Sequence, residues 1–265
     1  MTANEAWDRV SVCIVTLNEE SNLERCIESV SPCGELIVVD SGSTDQTREI
    51  AERFGVKWFV RDWDGFAKQR EFAEQQATRE FVLFLDADEW LSAELRTEIA
   101  ELLALESSGR QIFALRRHSE FLDRPIRFGD WKNDWVTRLI PRNRARWSGV
   151  EPHPYLVSKE LSLHRCRYPL YHRPYRDEAT FRAKLDSYAR TWAKDAFQNG
   201  MRGGTLTGLS RGTWRFIRSY ILRGGFCDGH PGFLIARGNA AMVRRKYFYL
   251  SELRASRNLH RSADI

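Results

Sequence analysis

The chain has 265 residues, of which 42% are hydrophobic and 29% are charged, and these proportions are typical of a globular protein with a full core. It contains no low-complexity tract, no internal repeat and no apolar run of about 18 residues, so the sequence excludes fibrous proteins and membrane-spanning helices. The net charge of +5 indicates an anionic partner: nucleotide phosphate, nucleic acid or an anionic membrane surface.

The cysteines and the N-terminal segment predict a cytoplasmic protein. The five cysteines include no Cys-x-x-Cys pair, and their odd number favours reduced thiols over a disulfide framework or a zinc site. The segment Met1–Arg9 lacks the basic and apolar regions of a signal peptide.

Short apolar segments alternate with amphipathic ones in the first sixty residues. Val10–Leu17 and Leu36–Val39 are rich in β-branched residues and are predicted as buried strands, and Val56–Val60 is predicted as a third strand. A helix is expected over Asn22–Val30, and another is expected to end at Phe54. This alternation predicts βαβ units and a mostly parallel sheet with flanking helices.

Two helix starts carry capping signals. Ser43 followed by Gln46 predicts a capping box at the start of the second helix. A further buried strand is predicted over Phe81–Leu85, and after it Ser92 is a candidate N-cap with Glu94 in the first helical turn.

Polar residues follow three of these strands, at Thr16–Glu19, Asp40 and Asp86–Asp88. Any one of them is explained by a strand that ends in a polar turn. Because the carboxyl ends of parallel strands open on one edge of the sheet, where α/β proteins bind ligands, the three together indicate a functional site. Carboxylate oxygens suit Mg²⁺ or Mn²⁺, which can also hold a diphosphate.

Four motifs together resemble glycosyltransferase family 2, and more closely the bacterial lipopolysaccharide-core glucosyltransferases of that family. They are Thr16-Leu-Asn-Glu19, Val39-Asp-Ser-Gly-Ser-Thr-Asp45, Gly65-Phe-Ala-Lys-Gln-Arg70 and Leu85-Asp-Ala-Asp-Glu89. The resemblance covers residues 10–160 well and extends loosely to the C-terminus. It implies a GT-A fold, a nucleotide-sugar donor, a divalent metal and inversion at the anomeric carbon.

The resemblance also implies roles for the strand-end residues. Thr16, Asn18 and Glu19 would line the nucleoside pocket, and Asp40 would face the base. Asp86 would lie against the ribose or the nucleotide.

The same resemblance places the metal, which bridges the diphosphate, on Asp88. Lys68 precedes the acidic strand on a predicted helix that ends at Ala77. It either reaches back to a phosphate or is a solvated helix charge.

Two further strands are predicted in the aromatic, basic middle of the chain, at Gln111–Leu115 and Val136–Ile140. Trp131, Trp135 and Trp147 in this region are either a stacking platform for a sugar or core residues. For a single tryptophan the core is the simpler interpretation.

An inverting transfer needs a carboxylate to take the proton of the acceptor hydroxyl. Glu151 is the first candidate for this base and Asp134 the second. His153 is a candidate third metal ligand or phosphate donor, but Pro154 stands where some similar enzymes have an acid.

The C-terminal region is expected to be mainly helical. Glu178–Asn199 has the periodicity of a core helix. Leu206–Arg223 reads as an amphipathic helix with Arg211, Arg215 and Arg218 on its polar side. That helix either lies on an anionic membrane surface or packs its apolar side against the rest of the protein.

The sequence thus predicts a GT-A domain over residues 8–160 and a helical extension over residues 161–265. The expected activity is metal-dependent, inverting transfer of a hexose, glucose favoured, from a UDP-sugar to a saccharide or glycolipid acceptor. Lipopolysaccharide core or another cell-envelope glycan is the expected acceptor, and the expected location is the cytoplasm or the cytoplasmic face of the inner membrane. The alternatives are a phosphohydrolase with Asp86 as nucleophile and Asp88 as acid, or a basic protein that binds membrane or nucleic acid. No nucleic-acid-binding module appears in the sequence, so nucleic acid is not expected as a partner.

Overall fold

The computed structural model describes residues 2–106, 109–148, 155–157 and 161–263. The chain forms two compact units. The first comprises Met1–His118 and Asn133–Arg173, and the second comprises Ser119–Lys132 and Pro174–Ile265. The predicted division into domains at residue 160 stays a prediction.

The strands of the described chain are β1 (Val10–Thr16), β2 (Glu35–Asp40), β3 (Lys57–Val60), β4 (Phe81–Asp86), β5 (Glu89–Leu91), β6 (Gln111–Phe121), β7 (Arg124–Pro125), β8 (Asp134–Pro141), β9 (Arg146–Ser148), β10 (Tyr155–Val157) and β11 (Ser162–His172). The α-helices are α1 (Ala3–Trp7), α2 (Leu23–Val30), α3 (Thr47–Arg53), α4 (Phe66–Gln76), α5 (Ala93–Leu105), α6 (Glu178–Gln198), α7 (Thr205–Phe216) and α8 (Gly229–Ala263). Short 3₁₀-helices span Gly129–Trp131 and Gly225–Asp228, and a π-helix spans Ile217–Leu222.

The main sheet has the strand order β3-β2-β1-β4-β8-β6-β11-β5. Its first four strands are parallel, whereas β8 runs antiparallel to both β4 and β6, and β11 runs antiparallel to β5. The sheet is therefore mixed, and the predicted α/β class with flanking helices and a C-terminal helical region is confirmed.

Successive side chains of a strand point to opposite faces of the sheet. Because the parallel strands are apolar on both faces, helices cover both of them. In β4, Phe81, Leu83 and Leu85 belong to one buried cluster, while Val82 and Phe84 belong to another. Every residue of β1 is buried, as a strand between two layers requires.

One predicted helix start is correct and the other is wrong. Ser92 caps α5 by accepting a hydrogen bond from the Leu95 amide. The capping box of Ser43 and Gln46 is wrong, because α3 begins only at Thr47. The Ser43 hydroxyl instead donates to Asp40 and accepts from the Asn18 amide, so it is not available to a helix end.

The second unit is formed mainly by α6, α7 and α8. Its aromatic cluster joins Phe121, Trp131, Tyr175 and Phe181, whose ring centroids lie 4.8 to 6.4 Å apart. Trp131 is therefore a packing residue, in agreement with its interpretation as a core residue.

The segment predicted as one amphipathic helix, Leu206–Arg223, differs from expectation. It consists of α7 followed by the π-helix, and its packed positions in α7 are Gly208 and Gly212 rather than leucines. Leu206 and Leu209 are 83% and 51% exposed. The prediction that this apolar side packs against the rest of the protein is therefore wrong for both leucines. Among the described residues, no helix combines the length and hydropathy needed to cross a bilayer.

A buried carboxylate ties the parallel strands together at their amino ends. Glu35 begins β2 and is 8% exposed. It accepts hydrogen bonds from the Ser11 hydroxyl at 2.6 Å and from the Thr78 amide at 2.8 Å, and it pairs with Lys57. Burial opposes ionisation, but these donors together lower the pKa of Glu35 to about 2 from an ordinary value of 4.5.

We predict that Glu35→Gln lowers the free energy of unfolding at pH 7 by roughly 3 kcal/mol, which follows from the size of this pKa difference. Because the folded pKa is the lower one, the stabilisation is present above pH 4.5 and is lost as the pH falls towards 2. Urea unfolding of both proteins between pH 7 and pH 2 measures it, and the two curves should converge in acid. The exposed Glu49→Gln is the control and should change stability little at any pH.

Candidate active site

The carboxyl ends of the parallel strands bring three predicted residues to one edge. Thr16 is the register partner of Asp40, and Val15 is the partner of Asp86. Thr16 and Asp40 are 5% and 3% exposed. The structure thus places Thr16, Asp40 and Asp86 side by side on β1, β2 and β4.

The loops that follow β1 and β2 are cross-linked by hydrogen bonds. The Asn18 amide donates to Ser43 Oγ at 2.8 Å, and the Thr44 amide donates to Asn18 Oδ1 at 2.8 Å. The Glu19 amide donates to Thr47 Oγ1 at 2.8 Å. Asn18 has φ 56°, a left-handed conformation that asparagine tolerates better than most residues. Asn18 and Glu19 are therefore held in one fixed turn beside Thr16.

Asp40 shapes the loop that it begins. Its Oδ2 accepts from the amides of Gly42 and Ser43 at 3.0 and 2.9 Å. Its Oδ1 accepts from the Ser43 hydroxyl. A buried carboxylate that accepts three hydrogen bonds from its own loop fixes the backbone there, whatever else it contacts.

The start of α4 is tied to the same edge by Gln69, which is fully buried. Its side-chain amide donates to Ser41 Oγ and to the carbonyl of Arg61, both at 3.0 Å. Its Oε1 accepts from Arg61 Nη1 at 2.9 Å. Lys68, the neighbouring predicted residue, is exposed on α4.

A buried network of arginines and carboxylates lies behind the edge. Asp86 pairs with Arg70 and with Arg138, each at 2.7 Å. Arg138 also pairs at 2.6 Å with Glu89, which is fully buried, and Glu89 lies 3.2 Å from Arg117. Burial would raise the pKa of Asp86, but the guanidinium groups of Arg138 and Arg70 outweigh it and hold that pKa well below its usual range.

The network ends at Asp134, one of the two predicted bases. Asp134 on β8 is the register partner of Arg117 on β6, and its Oδ2 accepts from Arg117 Nε at 2.8 Å and Nη2 at 2.5 Å. Burial would lower the pKa of Arg117, but Glu89 and Asp134 raise it above its ordinary value. Three arginines thus face three carboxylates, and the network is neutral as a whole.

Asp88 lies beside an imidazole. Its Oδ2 is 3.6 Å from His172 Nε2 at the end of β11, and its carbonyl accepts from the Arg173 amide at 2.9 Å. The antiparallel pairing of β11 with β5 sets His172 opposite Glu89 and so brings it next to Asp88. Both side chains are about one-tenth exposed, at 12% for Asp88 and 11% for His172.

A carboxylate oxygen and an imidazole nitrogen at this separation fit a divalent cation whose other ligands are diphosphate oxygens and water. Among the described residues no group of three or more His, Cys, Asp or Glu is suited to a metal, so that part of the chain offers this cation the pair Asp88 and His172.

Two of the predicted residues, Glu151 and His153, lie outside the described residues. Trp147 is 8% exposed, packs edge-on against Phe84 at 5.1 Å and lies under Arg70 at 4.9 Å, so it belongs to the core. Trp135 is half-buried under Arg165, 5.3 Å from its ring.

The sequence interpretation missed Arg138, Glu89, Arg117 and His172. For Arg138 a signal exists, because an arginine within the apolar strand Val136–Ile140 needs a buried carboxylate partner. For His172 no local signal exists, because its proximity to Asp88 depends on strand pairing across more than eighty residues.

The geometry defines a class: an α/β protein whose ligand site opens at the carboxyl edge of parallel strands. The sequence model of Glycosyl transferase family 2 matches residues 11–152, more than half of the chain, and the match includes β2, β4, β8 and all but the first residue of β1. The chain belongs to glycosyltransferase family 2 and is a glycosyltransferase.

Its relatives include a protein of Rickettsia bellii (strain RML369-C) named as an uncharacterized glycosyltransferase, which is 32% identical over 239 residues, or 85% of this chain and 80% of that protein. The lipopolysaccharide core biosynthesis glycosyltransferase LpsC of Rhizobium meliloti (strain 1021) is 39% identical over 100 residues, or 36% of this chain and 37% of that protein. Glucosyl-3-phosphoglycerate synthase from Mycobacterium tuberculosis, crystallised with Mn²⁺, UDP and glucosyl-3-phosphoglycerate, is 26% identical with a TM-score of 0.37, covering 45% of this chain and 49% of that one.

We predict that Arg138→Gln lowers the free energy of unfolding by about 3 kcal/mol, because it removes the nearest guanidinium from the buried Glu89 carboxylate. Adding Glu89→Gln should recover part of this loss, since the buried charge is then absent. Urea unfolding at pH 7 tests both variants.

The matched control is Arg48→Gln, which breaks an exposed ion pair with Glu52 and should cost less than about 0.5 kcal/mol. Equal effects of Arg138→Gln and Arg48→Gln would contradict the role of the buried network.

Proposed function

We propose that this protein is an inverting, metal-dependent glycosyltransferase that moves a hexose, glucose favoured, from a UDP-sugar to a saccharide of the cell envelope. The observation that carries the proposal is the family match across residues 11–152, which contains the strand-end carboxylates at the sheet edge. The mixed sheet agrees with the GT-A fold that the family implies.

The donor nucleotide is proposed to lie across the ends of β1, β2 and β4. Thr16, Asn18 and Glu19 line the nucleoside pocket, with Asp40 towards the base and Asp86 towards the ribose. The buried Thr16 hydroxyl makes no hydrogen bond within the described chain, which supports a ligand contact there. Lys68 is proposed as a phosphate contact from α4.

A carboxylate near a diphosphate would ordinarily repel it. Asp86 avoids this because Arg70 and Arg138 neutralise its charge, while both of its oxygens remain hydrogen-bond acceptors. The arginine network therefore supports a nucleotide at this edge.

The divalent cation, Mg²⁺ or Mn²⁺, is proposed to be held by Asp88 and His172, with His153 as the further ligand expected from the sequence. When bound, such a cation neutralises the charge of the departing diphosphate. Asp88 and His172 orient that end of the donor, and the amide of Arg173 fixes the Asp88 backbone.

Glu151 remains the proposed base and Asp134 the second candidate. Asp134 Oδ2 is taken up by two nitrogens of Arg117, so only Oδ1 would be available to an acceptor hydroxyl. This engagement supports the ranking of Glu151 above Asp134.

Lipopolysaccharide core is the proposed acceptor, supported by the 39% identity to LpsC over 100 residues. A lipid-linked acceptor places the proposed activity at the cytoplasmic face of the inner membrane.

The alternatives fit the structure less well. A phosphohydrolase would need Asp86 as a strong nucleophile, but the ion pairs of Oδ1 with Arg70 and of Oδ2 with Arg138 reduce the nucleophilicity of both oxygens. A non-enzymatic basic protein does not agree with membership of a transferase family.

We predict that the protein, incubated with Mn²⁺ or Mg²⁺ and a panel of nucleotide sugars, releases nucleotide fastest from UDP-glucose. Asp88→Asn and His172→Ala should each weaken Mn²⁺ binding to the UDP complex by tenfold or more, since each removes one of few protein ligands. Electron paramagnetic resonance of Mn²⁺ measures binding apart from turnover.

His153→Ala, compared with His172→Ala, shows which imidazole serves the cation. Full activity in excess EDTA, or unchanged Mn²⁺ binding in Asp88→Asn, would exclude the proposed metal role.

The proposed base predicts that Glu151→Gln slows transfer by roughly 10² to 10⁴, the usual range for loss of a general base. UDP affinity measured by calorimetry should remain, because the donor contacts lie elsewhere. Asp134→Asn is the matched variant, and a large rate loss in it with a normal rate in Glu151→Gln would reverse the ranking.

A further inference from the structure

The second unit carries a concentration of exposed apolar side chains. Of the fifteen large hydrophobic side chains exposed in the described chain, eight lie between residues 201 and 233. Six of them, each 51% to 83% exposed, form what is called here the apolar face: Leu206, Leu209, Trp214, Ile221, Leu222 and Phe226. Single exposed leucines are ordinary, but such a concentration marks an interaction surface.

The backbone packing of α7 directs these side chains outward. A Cβ atom on Gly208 would lie 2.8 Å from the Tyr247 Cβ, and one on Gly212 would lie 2.9 Å from the Ala240 carbonyl oxygen. Only glycine permits this close approach to α8. Leu206 and Trp214 are two helical turns apart on the opposite side of α7, so they point away from α8.

Internal contacts hold the apolar face in place. Phe216 packs against Tyr220 at 5.2 Å, and Tyr220 packs against Phe226 at 6.3 Å. Asp130, whose side chain is 3% exposed, binds both Arg215 and Arg223 at 3.0 Å. The face is therefore formed before any partner binds. Arg215, predicted from the sequence as a surface charge, instead anchors α7.

The segment that carries the apolar face has charged side chains of one sign. Residues 199–227 contain five arginines and no aspartate or glutamate. Arg215 and Arg223 bind Asp130, which leaves Arg202, Arg211 and Arg218 for an external partner. Arg211 lies over the Tyr247 ring, 5.5 Å from its centroid, at the flank of the helix. Leucine and tryptophan flanked by arginine complement the acyl and headgroup layers of an anionic bilayer.

We propose that the apolar face inserts into the headgroup region of an anionic lipid bilayer and holds the second unit on the membrane surface. The inference rests on the proposed function in one respect: a lipid-linked acceptor would give the membrane attachment a purpose. Binding of the chain to lipid needs neither donor nor acceptor, so the two proposals are tested separately.

The test is co-sedimentation of the full chain with vesicles of phosphatidylglycerol and phosphatidylethanolamine, without nucleotide. Leu206→Ser combined with Leu222→Ser should weaken partitioning at least about tenfold, because two large side chains no longer leave water. The matched control is Leu105→Ser combined with Leu163→Ser, the same change at residues 83% and 52% exposed in the first unit. This control should bind like the wild type.

A second pair of variants tests the charge. Arg211→Gln combined with Arg218→Gln should bind phosphatidylglycerol vesicles about tenfold more weakly at low salt and should respond less to added salt. Binding to neutral phosphatidylcholine vesicles should not differ from that of the wild type. Arg215 is left unchanged because it pairs with Asp130.

The proposal is overturned if the wild type does not sediment with anionic vesicles, or if both double leucine variants bind equally well. It is also overturned if Leu206→Ser with Leu222→Ser converts a dimer to a monomer in sedimentation velocity and leaves vesicle binding unchanged, since the face would then join two copies. Calorimetry with UDP separates the two proposals. If the wild type does not bind UDP, the proposed function is contradicted and the membrane proposal is not affected.

Discussion

The ion pairs of Arg138 with Asp86 and Glu89 are the constraint on which the candidate site depends. Glu89 is fully buried, and its contact with Arg138 at 2.6 Å offsets the cost of burying a carboxylate. Arg138 comes from β8, antiparallel to β4, whereas Arg70 comes from α4 on the parallel side. The network therefore joins both halves of the mixed sheet behind the edge, and it sets the orientation of Asp86.

The same network separates the two aspartates of the Asp-x-Asp motif. Asp86 is neutralised by two guanidinium groups, while Asp88 points towards His172. Two carboxylates two residues apart thus have different electrostatic surroundings. One suits hydrogen bonding to an uncharged part of a nucleotide, and the other suits a cation.

In the second unit, backbone packing decides where side chains go. Glycine at 208 and 212 lets α7 approach α8 more closely than any larger residue would permit, so the leucines of α7 have no place in that interface. The π-helix that follows continues the exposed apolar surface at Ile221 and Leu222. A helix whose hydrophobic side faces outward is unusual in an isolated globular unit, and its charge pattern suits a lipid surface.

The sequence by itself determined the parallel strands β1 to β4 and the polar ends of β1, β2 and β4, because a buried strand requires a continuous apolar run such as Phe81–Leu85 and ends where polar residues begin. It did not predict β11, which the structure forms at Ser162–His172 in a region expected to be helical. It also determined the Ser92 cap, a local interaction. Only the tertiary structure decided that Arg138 neutralises Asp86, that His172 reaches Asp88 and that the Asn18 amide donates to the Ser43 hydroxyl. These contacts depend on the pairing of distant strands, and that pairing is not a property of a local pattern.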